Sequence, residues 1–273
     1  MGSSQAGGSS ATIEPNEALV LGSARSRGWR ESILVLAMVL APVGLAIVLV
    51  ITSIFVIAGW QIVRGVPAHI PARADLQLYG LLSYIIASWV AVAAVWLWTS
   101  RGGLRREVFK CHRLTWPTVT ASIMGFLMAM YGAPVMTHWL SQATGGRGPG
   151  VQINYHDGQS VAMYALLFVV TAPVCEEILY RGLLVAWLRR IGWRNSGIWL
   201  VGSLIFGANH WIPLGFVWSA VMVVFGGLLF AMRLRYDSLS PGWLVHFLFN
   251  AQPFLAYPLI SSVSPALLPG SLS

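Results

Sequence analysis

The sequence has few charged residues and very little cysteine. Only 10% of its 273 residues are charged, whereas soluble domains carry about 25%. The two cysteines, Cys111 and Cys175, belong to no CxxC or Cys/His pattern, so neither a disulfide framework nor a cysteine metal site is expected. Apolar residues make up 56% of the chain, and the mean hydropathy is +0.70. This composition indicates a polytopic membrane protein of one domain.

Acidic residues are also scarce, and the net charge is +8. Such an excess can indicate a nucleic-acid-binding protein, but here the basic residues fall in short gaps between apolar runs. That distribution is typical of cytoplasmic loops in membrane proteins. We therefore expect the lipid bilayer as a partner, and no nucleic acid.

Long uncharged runs predict the architecture. A helix needs roughly 20 apolar residues to cross the hydrocarbon core, and 195–232 is long enough for two helices, with a turn near Pro213 and Gly215. We predict an all-α bundle of about seven transmembrane helices with its active site inside the bundle. The predicted membrane segments are 32–63, 76–100, 114–140, 161–188, 195–232 as a pair of helices, and 241–260.

Loop charges predict the orientation in the membrane. Residues 1–31 are polar and rich in Ser and Gly, and we expect a disordered cytoplasmic tail followed by a transmembrane domain over 32–273. If successive helices cross the membrane in alternating directions, thirteen basic residues lie on the same side as this tail and three lie on the opposite side. The positive-inside rule then predicts a cytoplasmic N-terminus and an extracytoplasmic 141–160 loop. We expect an integral protein of a bacterial cell membrane.

Two carboxylates interrupt the fourth apolar run, in the stretch PVCEEILYRG over 173–182. An ionised carboxylate at membrane depth costs at least about 2 kcal/mol, so such residues usually face the bundle interior and have a function. Glu177 and Arg181 are four residues apart and can pair on one helix face. Glu176 points elsewhere and is the candidate general base.

Two later segments, FGANH and HFLFN, show the same four-residue spacing. They place Phe206 with His210, and His246 with Asn250, on one helix face each. Helix rise puts Glu176, His210 and His246 about 20, 24 and 16 Å from the nearest cytoplasmic-edge charges. The three side chains are therefore expected to meet in one pocket inside the bundle.

EEILYR, FGANH and HFLFN, in this order on late apolar helices, resemble the three motifs of the CPBP family. That family contains the CAAX prenyl proteases and bacteriocin-processing or immunity proteins, and its pattern is EExxxR, FxxxH and HxxxN. Every defining position is matched, and the resemblance covers about 160–255, the expected catalytic core. The matched residues are Glu176, Glu177, Arg181, Phe206, His210, His246 and Asn250.

The resemblance implies an intramembrane endopeptidase that acts on a membrane-associated or C-terminal-tail substrate. Carried over by position, Glu176 and His210 activate the attacking water, while His246 and Asn250 stabilise the oxyanion. Glu177, Arg181 and Phe206 support the site. The chemistry agrees, because amide hydrolysis needs a base for water and donors where negative charge develops.

The residues leave two questions open. The first is the cofactor: a metal-free mechanism is favoured, since the pattern is not HExxH and asparagine is a poor zinc ligand, but if zinc is present, Glu176, His210 and His246 are the expected ligands. The second is the class of protein, since intramembrane Glu and His residues also serve transporters and proton relays. A non-enzymatic immunity or scaffold protein of the same fold is a further alternative, and the identity of the peptide or membrane-protein substrate is not encoded in these motifs.

Overall fold

The computed structural model describes residues 15–67, 71, 73–146, 153, 155 and 157–263. Within these residues the chain is helical and has no strands, which confirms the predicted all-α class. The helices are α1 (Pro15–Val63), α2 (Arg73–Gly102), α3 (Arg105–Val108), α4 (Trp116–Thr144), α5 (Gly158–Arg190), α6 (Asn195–Asn209), α7 (Trp211–Tyr236) and α8 (Ser240–Val263).

The seven long helices correspond in order to the predicted membrane segments. Among the described residues, five helical stretches are long and apolar enough to cross a membrane. They lie in α1, α2, α4, α5 and α7, whereas α6 has only 15 residues. Many of their large apolar side chains are exposed, such as Phe55 at 73% and Trp139 at 68%, as expected for contact with lipid. The chain is thus an integral membrane protein, and the count of seven crossings stays a prediction.

The first helix begins earlier than expected. The tail was predicted to be disordered up to residue 31, but α1 already begins at Pro15. Proline is favoured in the first turn of a helix, where a missing N–H costs nothing, and the following NEALVL contains good helix formers. The helical part of the tail is therefore a correction, while residues 1–14 lie outside the described part of the chain.

Helix α5 forms the centre of the bundle and is not a regular α-helix. It has π-helical turns over Leu166–Thr171 and Glu177–Leu184. Pro173 follows the first of these irregularities: it has no N–H, and its ring clashes with the carbonyl four residues earlier, that of Val169, which lies inside this π-helical stretch. The sequence predicts regular 3.6-residue geometry for this segment, so the π turns are a difference between prediction and structure. Local π turns of this kind are frequent at functional sites.

A polar cluster joins the ends of three helices at one face of the bundle. Asp237 follows α7 and accepts hydrogen bonds from Lys110 Nζ (2.6 Å), Arg189 (2.6 Å) and Arg233 (2.8 Å). Burial alone would raise the pKa of the Asp237 carboxyl, but hydrogen bonds from Lys110 and Arg189 outweigh it and hold that pKa well below its usual range. The 101–113 loop and the ends of α5 and α7 therefore lie on the same side of the membrane.

Candidate active site

The first motif places two carboxylates in the middle of α5. Glu176 is 6% exposed and Glu177 is 2% exposed. Their side chains leave the helix in different directions and contact different partners, as the sequence predicts for adjacent helical residues.

Glu177 and Arg181 form the ion pair that their spacing predicts. Arg181 Nη1 lies 3.3 Å from Glu177 Oε1, and both side chains are buried. The guanidinium also lies 4.1 Å from the centre of the Phe206 ring and 4.6 Å from that of Phe230. Stacking on two aromatic faces compensates part of the cost of burying this cation.

Glu177 has a second partner that was not expected from its spacing. Its Oε1 lies 3.2 Å from Nδ1 of His246, on α8. A carboxylate can only accept, so His246 donates from Nδ1, and its Nε2 faces away from Glu177. Glu177 therefore links Arg181 of the first motif to the histidine of the third and sets the orientation of that ring.

Glu176 lies between the two histidines. Its Oε2 is 3.9 Å from Nε2 of His210 and 3.9 Å from Nε2 of His246. Its other oxygen, Oε1, accepts a hydrogen bond of 3.2 Å from the hydroxyl of Tyr84 on α2. Glu176, His210 and His246 therefore converge as predicted, although His210 lies between α6 and α7 and not inside a helix.

His210 is oriented by the backbone of its own motif. Its Nδ1 lies 2.7 Å from the carbonyl oxygen of Phe206. Because that oxygen only accepts, Nδ1 carries the proton, and a neutral His210 presents an unprotonated Nε2 to Glu176. The Phe206 ring is fully buried and lies 4.6 Å from the His210 ring. Phe206 thus supports both His210 and Arg181, which accounts for its place in the motif.

Asn250 contacts the irregular part of α5. Its amide nitrogen donates a 2.8 Å hydrogen bond to the carbonyl oxygen of Phe168. The N–H of Ala172 bonds to the Leu167 carbonyl and Pro173 has no N–H, so neither residue donates to the Phe168 carbonyl. A buried carbonyl without a partner is costly, so Asn250 has a structural contact here in addition to any role in chemistry.

Tyr84 was missed in the sequence. It is one of two tyrosines in the apolar segment 76–100, the other being Tyr79, and no spacing or motif distinguishes it. Only the packing of α2 against α5 brings its hydroxyl to Glu176.

The described residues contain no group of three or more His, Cys, Asp or Glu side chains placed to hold a metal ion. Ligand atoms of a tetrahedral zinc ion lie about 3.4 Å from one another. That is closer than the 3.9 Å from Glu176 Oε2 to either histidine. Imidazole and carboxylate are suitable zinc ligands, but as placed these side chains do not form a zinc site.

The fold and the site define an integral membrane protein with a buried carboxylate–histidine centre. Residues 158–252 match the family model described as type II CAAX prenyl endopeptidase Rce1-like, and all seven motif residues lie within this range. The match confirms the resemblance over this part of the chain: residues 158–252 are similar to the CPBP/CAAX proteases, a family of intramembrane proteases. No curated protein and no solved structure matches the chain.

Proposed function

We propose that the protein is an intramembrane endopeptidase in which Glu176 and His210 activate a water for attack on a peptide bond. The observation that carries this proposal is the 3.9 Å separation of Glu176 Oε2 from Nε2 of both histidines. It is too long for a direct hydrogen bond and suits one water molecule between the groups. The expected substrate is a membrane-associated protein or a C-terminal peptide tail.

Each step of the hydrolysis uses one of these groups. Glu176 Oε2 takes a proton from the water, assisted by the acceptor Nε2 of His210, while the water oxygen bonds to the carbonyl carbon. The tetrahedral intermediate then breaks its C–N bond, and Glu176 returns the proton to the leaving amine. The products are a carboxylic acid, whose proton passes to the amine to give a carboxylate and an ammonium group, and Glu176 is regenerated.

His246 and Asn250 are the proposed oxyanion donors. The Asn250 amide carries a second N–H beside the one given to Phe168. His246 already donates from Nδ1 to Glu177, so it donates from Nε2 only as an imidazolium, for which Glu177 is the counter-charge. Removal of one such donor typically lowers kcat about 10²–10³-fold.

Peptide cleavage by the purified protein in detergent tests the proposal. A prenylated CAAX peptide and an unprenylated transmembrane peptide should be compared, with products identified by mass spectrometry. We expect cleavage of one class by the wild type and none by Glu176→Gln. Asn250→Ala should lower kcat with little change in KM. Full activity of Glu176→Gln would refute the proposed base, and Glu176-dependent proton flux in liposomes without any cleavage would favour a transporter.

Metal analysis separates direct activation of water from activation by zinc. Under the proposed mechanism, activity survives exhaustive chelation and no stoichiometric metal co-purifies with the active protein. Stoichiometric zinc, together with activity that chelators abolish and zinc restores, would contradict direct activation. The assignment as a peptidase would stand in that case.

A further inference from the structure

Helix α2 contacts the motif helix through two polar side chains. Tyr84 donates to Glu176, and Trp89 Nε1 donates to Thr171 Oγ1 at 3.3 Å. The contacts run in opposite directions along the two helices, as in an antiparallel pair. Both are made by a segment that lies outside the 158–252 family match.

The two oxygens of Glu176 face different groups. Oε1 accepts from Tyr84, whereas Oε2 faces the two histidines. The terminal torsion of a glutamate side chain is broad and roughly two-fold, so packing alone holds the plane of its carboxylate poorly. A hydrogen bond to one oxygen fixes that plane and therefore also fixes where the other oxygen points.

We propose that Tyr84 is a positioning residue for the general base: its hydroxyl anchors Glu176 Oε1, so that Oε2 points to the space shared by His210 and His246. The role rests on the proposed peptidase function of Glu176. It means that the active site is completed by a helix of the N-terminal half, which carries none of the family motifs. A small misplacement of a reacting group is costly in rate, so the hydroxyl should matter for turnover more than for substrate binding.

Tyr84→Phe removes the hydroxyl and keeps the ring. We expect kcat to fall about 10-fold with KM unchanged, since the lost contact acts on the reacting group. Tyr79→Phe is the matched control: five residues earlier on α2, it points about 140° away from Tyr84 and should leave kcat unchanged. A kcat for Tyr84→Phe equal to that of the wild type would refute the proposal.

A second variant separates positioning from helix packing. Trp89→Phe removes the neighbouring α2–α5 hydrogen bond without touching Glu176, and it should lower the melting temperature more than kcat. An equal fall in kcat on Trp89→Phe would mean that α2 contributes only general packing, and it would overturn the assigned role.

A stability cycle tests the contact without any activity. Tyr84→Phe should lower the melting temperature of the wild type but not that of Glu176→Ala, because the acceptor is then gone. Additive shifts would show that the Tyr84–Glu176 hydrogen bond does not form. If the cycle shows coupling but neither the wild type nor any variant cleaves peptides, the contact stands and the peptidase function fails instead.

Discussion

At the scale of single residues, the two adjacent glutamates point in different directions from α5 and therefore contact different groups. Glu176 faces the histidines, whereas Glu177 is held between Arg181 and His246. Glu176→Gln keeps the shape of the side chain but removes the base, so turnover should collapse while the melting temperature changes little.

Glu177→Gln should mainly destabilise the protein. It leaves the buried Arg181 without a counter-charge, which typically costs about 3–5 kcal/mol. Stacking on Phe206 and Phe230 and a hydrogen bond to the Gly226 carbonyl remain, so we expect a loss near the lower end of that range. Thermal unfolding in detergent measures both variants. Equal stability, with only Glu177→Gln inactive, would reverse the two roles.

At the scale of helices, the close approach of α3 to α5 depends on the glycine that directly follows the first motif. A Cβ atom at Gly182 would fall against the carbonyl oxygen of Val108. Backbone cannot move aside as a flexible side chain does, so Gly182→Ala should destabilise the protein by about 1–3 kcal/mol. Gly80→Ala on α2 is the control, since nothing lies within 4 Å of its added methyl group.

The melting temperatures of these two alanine variants give the comparison. Gly80→Ala should be neutral or slightly stabilising, because alanine favours a helix more than glycine does. If Gly182→Ala is as stable as Gly80→Ala, then α3 does not pack against α5 as closely as the Gly182–Val108 contact requires.

At the scale of the whole molecule, the Asp237 cluster ties three parts of the chain together through charge. Asp237→Asn weakens bonds to Lys110 and Arg189 and leaves Arg233, 1% exposed, without its counter-charge. The carboxylate itself is 43% exposed, so we expect a modest loss of about 1–2 kcal/mol at pH 7.

The pH dependence of that loss follows from the depressed pKa of Asp237. In the unfolded chain this carboxyl group has a pKa of about 3.9, and in the folded protein its pKa is lower. Such a group makes its full contribution to the stability of the folded state at pH values above about 3.9, and that contribution decreases as the pH falls further. The difference in melting temperature between wild type and Asp237→Asn should be constant from about pH 8 to pH 5 and shrink below about pH 4. A difference that already vanishes by pH 5 would contradict the ion-pair cluster. Asp75→Asn, at an exposed site, is the control.

The orientation in the membrane can be tested with native cysteine. Cys111 is exposed in the basic loop that contacts Asp237, and Cys175 is buried. If the N-terminus is cytoplasmic, an impermeant maleimide should label Cys111 only after cells are lysed. Gln142→Cys in a Cys111→Ser background, at an exposed position near the other end of α4, should be labelled in intact cells. The reverse pattern would overturn the predicted orientation.

Periodicity and charge were sufficient to predict the helical class and the order of the long helices, whereas the catalytic roles of the motif residues came from the family resemblance and stay a prediction. Helix spacing alone placed Glu177 with Arg181, and His210 with Phe206. These contacts lie within four residues on one helix, where geometry follows directly from the chain. The start of α1 was predicted too late. The Ser- and Gly-rich composition of the tail as a whole indicated disorder, although the segment from Pro15 onward contains good helix formers.

Contacts between distant segments depended on the tertiary structure. The Tyr84–Glu176, His246–Glu177 and Asn250–Phe168 hydrogen bonds join residues 92, 69 and 82 positions apart. The sequence by itself indicated that Glu176, Glu177 and the two histidines lie in apolar segments. Only the packing of α2, α6 and α8 around an irregular α5 decided which oxygen meets which partner, because such contacts depend on helix rotation and π turns that hydrophobic periodicity does not specify.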